Sequence, residues 1–123
     1  MGQLDGGRML VALSREIVGI FRDSVGKGPD QCRTYWAGKD MVVVLLSGGY
    51  TAAEQTLFEA GRGSTVQESR HAIQQALGAR MRSAVESVAG RQVIAFMSAS
   101  HQAPDLSAEL FVFAPQSGDR NIT

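Results

Sequence analysis

The segment FEAGRGSTVQESR, residues 58–70, places two glycines around an arginine, directly before a predicted helix. Free N–H groups at a helix N-terminus attract anions, and glycine lets the backbone approach a phosphate closely. The candidate ligands of a small anion are Arg62, Gly63, Ser64 and Arg70. A nucleotide loop would follow a strand and carry a lysine, whereas this segment follows a helix. A turn between two helices, with Gly61 as the left-handed cap, is the favoured interpretation.

A second group of reactive residue types lies later in the chain. Ser98, His101 and Asp105 supply the three side chains of a hydrolytic triad within eight residues. No nucleophile elbow surrounds Ser98, and residues so close in sequence rarely adopt the triad geometry. We therefore predict no catalytic residues and no enzymatic activity, with a hydrolase as the weaker alternative. His101 and Asp105 stay candidates for a binding role on the loop that carries them.

The sequence offers little for a metal or a cofactor. His71 and His101 are the two histidines and Cys32 is the one cysteine, and none has the spacing of a metal-binding motif. We therefore predict neither a metal nor a cofactor.

Five arginines lie in or beside the predicted long helix: Arg62, Arg70, Arg80, Arg82 and Arg91. A solvated basic face is the simpler interpretation, and docking to an acidic partner or a phosphate is the alternative, since arginine makes bidentate contacts. The formal net charge is zero, and no aromatic RNA-binding strand or recognition helix accompanies the arginines. We therefore predict no nucleic-acid binding.

Length and composition indicate one globular domain over residues 1–123, with an ordered core at 8–114 and loose segments at 1–7 and 116–123. Apolar residues make up 44% of the chain and charged residues 20%. The longest apolar run, MVVVLL, has the length of a strand, so we predict no membrane span. One cysteine and the lack of a secretory signal favour the cytoplasm.

The elements that would position these residues follow from hydrophobic spacing. Apolar residues three and four apart predict a helix that begins at Arg8 and ends before GKGP at 26–29. QCRTYW at 31–36 and MVVVLLS at 41–47 predict a hairpin. The second strand is apolar on both faces, which indicates a central position in the sheet.

Two helices and a second hairpin follow. A capping box at Thr51 and Glu54 predicts a short helix, and the same signature at Ser64 and Gln67 predicts the start of a long helix that ends at Gly90. Strands are predicted at 91–99 and 108–114, with a polar loop at 100–107 between them. The order αββααββ predicts an α+β fold, a two-layer sandwich in which helices cover one face of a four-stranded antiparallel sheet made of two hairpins.

The chain as a whole resembles a bacterial family, once classed as a domain of unknown function, that is named for the C component of a Na⁺-translocating, membrane-potential-generating system (the MpsC-like family). The resemblance covers roughly residues 8–114. The segments that resemble the family are GKGP at 26–29, MVVVLLSG at 41–48, TAAEQTLFEAGRG at 51–63 and GRQVIAFMSASHQAPDLSAELFVF at 90–113. The family name implies an association with membrane ion translocation and brings no catalytic residue set with it.

Three functions are thus open. The first is a non-enzymatic accessory or regulatory domain, cytoplasmic or peripheral to the membrane through a membrane-protein partner. We expect it to be a homodimer, because zero net charge and uncovered strand edges favour association. The second is a small-anion or small-ligand module that uses Arg62 and Ser64. The third is the hydrolase.

Overall fold

The computed structural model describes residues 6–116, which form three helices and one four-stranded sheet. In chain order the elements are α1 (Gly6–Val25), β1 (Gln31–Trp36), β2 (Met41–Ser47), α2 (Ala52–Glu59), α3 (Gly63–Ala89), β3 (Val93–His101) and β4 (Leu106–Phe113). The predicted order αββααββ and the α+β class are confirmed. Residues 1–5 and 117–123, most of the two segments predicted to be loose, lie outside the described residues.

The sheet is antiparallel throughout and has the order β1-β2-β4-β3. Each predicted hairpin forms, and the two hairpins join where β2 pairs with β4, with Val43 opposite Leu110. The apolar strand β2 is therefore central, as its sequence predicts.

The core lies between one face of the sheet and the helices α1 and α3. Alternate residues of β2 and β4 point into it, because successive side chains of a strand face opposite sides. Phe111 and Phe113 of β4 are fully buried there, together with Leu13 of α1 and Met81 of α3. A hydrogen bond of 2.8 Å between the hydroxyls of Ser14 and Thr34 ties α1 to the edge strand β1. We call the face of the sheet that packs on α1 and α3 the inner face, and the opposite face the outer face.

Several element boundaries differ from the prediction by one or two residues. Helix α1 begins at Gly6 rather than Arg8. The predicted loop 100–107 shortens to a turn at 102–105, because Ser100 and Ser107 continue the ladder and pair with each other. Their polar side chains suggested a loop, but they belong to the strands, and Ser100 Oγ donates a hydrogen bond to Gln74 of α3.

The two predicted capping boxes have opposite outcomes. Thr51 Oγ1 accepts from the Glu54 N–H at 3.1 Å and Glu54 Oε1 accepts from the Thr51 N–H at 2.8 Å, so the first box is confirmed. The second is wrong, because Gly61 turns the chain with φ 75° and α3 already begins at Gly63. Ser64 is thus the second residue of the helix, and Gln67 donates to the carbonyl of Ser100 instead.

Between residues 6 and 116, no helix combines the length and the apolar character that crossing a membrane requires.

Candidate functional site

The main concentration of interacting charges lies where α2, α3 and the β3–β4 turn meet. It consists of Tyr50, Glu54, Arg70 and Asp105, which we call the Arg70 cluster. Arg70 Nε and Nη2 donate to the two carboxylate oxygens of Glu54, each at 2.9 Å. The guanidinium also lies 4.5 Å from the centre of the Tyr50 ring and 3.9 Å from an oxygen of Asp105. One arginine therefore holds three segments of the chain together.

Local contacts place two members of the Arg70 cluster, Glu54 and Tyr50. The capping box orients Glu54 in the first turn of α2, where a carboxylate also faces the positive end of the helix dipole. Tyr50 is fixed by edge-on contact with Phe58, with ring centres 4.6 Å apart. Gly49 exposes its carbonyl to Arg70 Nη2 at 3.1 Å. Arg70 thus meets one aromatic face and several oxygen atoms, the contacts that a planar guanidinium makes best.

The environment moves the pKa values of the two carboxylates in opposite directions. Burial alone would raise the pKa of Glu54, but the hydrogen bonds from Arg70 and Thr51 outweigh it, and the pKa lies below its usual range. Burial raises the pKa of Asp105, and the more distant Arg70 does not cancel that effect. Glu54 is therefore the firm counterion of Arg70, and Asp105 is the weaker one.

A small cavity of about 40 Å³ opens beside the Arg70 cluster. Its walls include Leu46 and Ile73 on the apolar side and Lys27 and Arg70 on the polar side. This volume accommodates a few water molecules, whereas pockets for nucleotide-sized ligands are roughly ten times larger. The cavity is thus too small for a nucleotide.

Replacing Arg70 by Lys should lower the free energy of unfolding by about 1.5 kcal/mol, because an ammonium group cannot make the bidentate contact or stack on Tyr50 in the same way. Urea unfolding measures the loss. Arg82→Lys is the matched control, since Arg82 is exposed on the same helix. Equal stability of the two variants would contradict a structural role for the guanidinium.

A buried polar chain crosses the core beyond the cavity. Ser100 Oγ donates to Gln74 Oε1 at 3.0 Å, and Gln74 Nε2 donates to Glu109 Oε2 at 2.8 Å. Glu109 is fully buried, and Gln74 is 3% exposed. Burial raises the pKa of Glu109 to about 7, although Ser98 and Gln74 lower it. This carboxyl group therefore changes its charge close to neutral pH.

Of the four residues predicted for an anion site, Arg70 is engaged elsewhere, because it pairs with Glu54. A shallow groove beside Ser64 is lined in part by Glu68 and His71, and neither Arg62 nor Arg70 belongs to its lining. Gly63 uses its carbonyl to accept from Gln102 Nε2 at 2.7 Å. Arg70 would have to leave Glu54 to reach an anion at Ser64. Anion binding there stays a prediction.

The remaining arginines do not form one patch. Arg91 bonds to Asp40 and to the carbonyl of Ala114, at the opposite end of α3 from Arg70. Arg80 donates to the hydroxyl of Ser24 at 2.9 Å, and Arg82 is exposed. Two of the five arginines, Arg70 and Arg91, thus join distant segments of the chain through carboxylates.

The side chains of Ser98, His101 and Asp105, the candidate triad of the hydrolase alternative, do not converge on one site. Ser98 lies opposite Glu109 in the ladder, on the inner face. His101 is exposed at the end of β3, and its Nδ1 lies 2.9 Å from the carbonyl oxygen of Pro104. Asp105 faces Arg70. The strand alternation therefore directs Ser98 and His101 to opposite faces of the sheet.

Among residues 6–116, no three His, Cys, Asp or Glu side chains are grouped so that they could share a metal ion. Cys32 is half-buried, and burial raises the pKa of its thiol.

Sequence reasoning missed the partners of Arg70 and the burial of Glu109. Glu54 was recognised only as a capping residue, and a contact across 16 residues of chain leaves no local signal. Strand alternation places Glu109 on the same face of β4 as Phe111 and Phe113. It does not indicate which face is buried, because Leu110 and Val112 make the opposite face equally apolar.

The chain matches a known protein family over most of its length. Residues 6–115 match the family model described as Na⁺-translocating membrane potential-generating system (MpsC). Comparison with curated proteins and with solved structures gave no match. The matched segment includes every helix and strand of the fold and the whole Arg70 cluster. The chain therefore belongs to the MpsC family.

Proposed function

We propose that this chain is a non-enzymatic accessory or regulatory subunit of a Na⁺-translocating, membrane-potential-generating system. The observation that carries the proposal is the match of residues 6–115 to the MpsC family model. The subunit resides in the cytoplasm as a homodimer and reaches the membrane by docking on a membrane-embedded component of the system. The subunit acts by binding to this membrane-embedded component, and the component forms the ion pathway.

The internal use of the polar groups supports an accessory role. Arg70 is engaged by Glu54, Arg91 by Asp40, and Glu109 by Gln74. Each of these groups is thus bonded within the fold, and the separation of Ser98 from His101 supports the absence of a hydrolytic step. A subunit of this kind acts through its surface.

Recruitment to the membrane is the first test. A tagged chain should sediment with membranes from cells that contain the membrane-embedded components of the system, and it should stay in the supernatant when these components are deleted. Deletion of the chain itself should lower the Na⁺-dependent membrane potential, as measured with a potential-sensitive dye. A chain that stays in the supernatant in both strains would overturn the docking proposal.

Substitution of the two histidines separates an accessory role from catalysis. His101→Ala should restore the membrane potential of the deletion strain as fully as the wild type does, because a non-enzymatic subunit needs no general base. His71→Ala is the matched control, since both histidines are exposed. Loss of complementation in His101→Ala alone would contradict the non-enzymatic proposal.

A further inference from the structure

The outer face of the sheet is apolar, and no described element packs against it. Helices α1 and α3 both cover the inner face, and α2 packs on α3. Met97 is 51% exposed, Tyr35 49% and Leu45 38%. Uncovered apolar faces of this extent mark interaction sites in soluble domains.

The outward side chains form a continuous row across all four strands. Opposite one another in the ladder lie Tyr35, Val43, Leu110 and Met97. The next row has Leu45 beside two small residues, Ala108 and Ala99. Large side chains thus stand next to shallow positions, so that one such face can interdigitate with another.

The size of the outer face suits a stable pair. Four strands about 4.8 Å apart and roughly seven residues long cover about 450 Å² in the plane of the sheet. Two such faces cover about 900 Å² in projection, and the side chains that project from the sheet add to this area, which places the contact near the roughly 1,000 Å² that a specific interface requires. A contact of this area does not need a second surface patch.

The charge of the outer face favours a second copy over a different protein. Arg33, on the edge strand β1, and His101, at the end of β3, are the only titratable side chains directed outward from the described strands, apart from the phenol of Tyr35. Interfaces of homodimers are more apolar than those of transient complexes. The formal net charge of zero also means that two copies do not repel each other at long range.

We infer that the outer face is the interface between two copies of this chain, packed sheet on sheet about a two-fold axis. This inference rests on the homodimer of the proposed function and names its contact surface. The face that every copy exposes is covered by the same face of its partner, as closed two-fold symmetry requires. The exposed side of the helical layer stays accessible for the membrane partner.

Sedimentation equilibrium of the purified full chain is the first measurement, and it should give twice the 13.1 kDa mass of one chain at about 10 µM. Leu45→Lys places a charge at the centre of the outer face, and Met97→Lys places one on its edge strand. Each should raise the dissociation constant of the dimer at least 100-fold, because the charge would be buried without a partner.

Val11→Lys is the matched control, because Val11 is 59% exposed on α1, away from the outer face. It should leave the dimer intact. Circular dichroism shows whether each variant is folded, and Met97→Lys decides the question if Leu45→Lys does not fold, since lysine is common on edge strands.

The outcomes separate the two levels of the inference. A monomeric wild type would overturn both the homodimer and its interface. A dimer that persists in folded Met97→Lys, or one that dissociates equally in Val11→Lys, would overturn the interface alone. Membrane recruitment is measured independently and would not be affected by either result.

Discussion

Replacing Gly49 by Ala should lower the free energy of unfolding by about 3 kcal/mol, as measured by urea unfolding. The residue has φ 92°, a conformation that costs an alanine about 1 kcal/mol or more. An added Cβ would also lie 2.9 Å from the Cα of Pro29 and 3.0 Å from the carbonyl oxygen of Gly28. Because both neighbours are backbone atoms, they cannot rotate away, and overpacking adds about 2 kcal/mol.

Gly38→Ala is the matched control, and the difference between the two variants gives the steric part of the effect. Gly38 has φ 77°, and no atom lies within 4 Å of its added Cβ. It should therefore lose only the conformational part, about 1 kcal/mol. If the two variants lost equal stability, the close approach of Gly49 to residues 28–29 would not contribute to the free energy of unfolding. A close fit at this position would then not be needed to hold the Gly49 carbonyl that accepts from Arg70.

Replacing Glu109 by Gln should remove most of the decline in stability of the wild type between mildly acidic and neutral pH. The pKa of Glu109 lies near 7 in the folded chain and near 4.5 when unfolded, so the folded state binds the proton more tightly. Stability due to this group is fully present below about pH 4.5 and is lost as the pH rises to about 7. The difference of pKa corresponds to about 3 kcal/mol.

The variant keeps a hydrogen-bonding side chain of the same size without the buried charge. At about pH 8 it should be more stable than the wild type by about 3 kcal/mol, and at about pH 4 the two should be nearly equal. Glu68→Gln, at an exposed position of α3, is the control and should keep the pH profile of the wild type. A Glu109→Gln variant that is less stable than the wild type at pH 8 would contradict a raised pKa.

Local signals were sufficient to predict the elements of this fold. The spacing in α1, the Thr51–Glu54 capping box and the continuous apolar run of β2 each act within a few residues, and each appears in the structure as expected. The second capping box was wrong because Gly61 and Arg62 turn the chain earlier, so that packing on Phe58 and Gln102 determines where α3 begins.

Long-range chemistry could not be predicted in the same way. The Arg70 cluster joins residues from 50 to 105, and no pattern in a single sequence pairs Arg70 with Glu54. The alternation of β4 was also uninformative about its faces, because Leu110 and Val112 are as apolar as Phe111 and Phe113. That ambiguity had a physical cause, since both faces of the central strands carry apolar side chains.

The strand order also has a consequence for folding during synthesis on the ribosome. Strand β4 is the last of the four to be synthesised, yet it lies between β2 and β3. Until it emerges, β2 offers an unpaired apolar edge and β3 has no neighbour, so the nascent chain cannot close its sheet. We therefore expect the sheet to form only after β4 has left the ribosome, and the first hairpin and α1 to be accessible to chaperones until then.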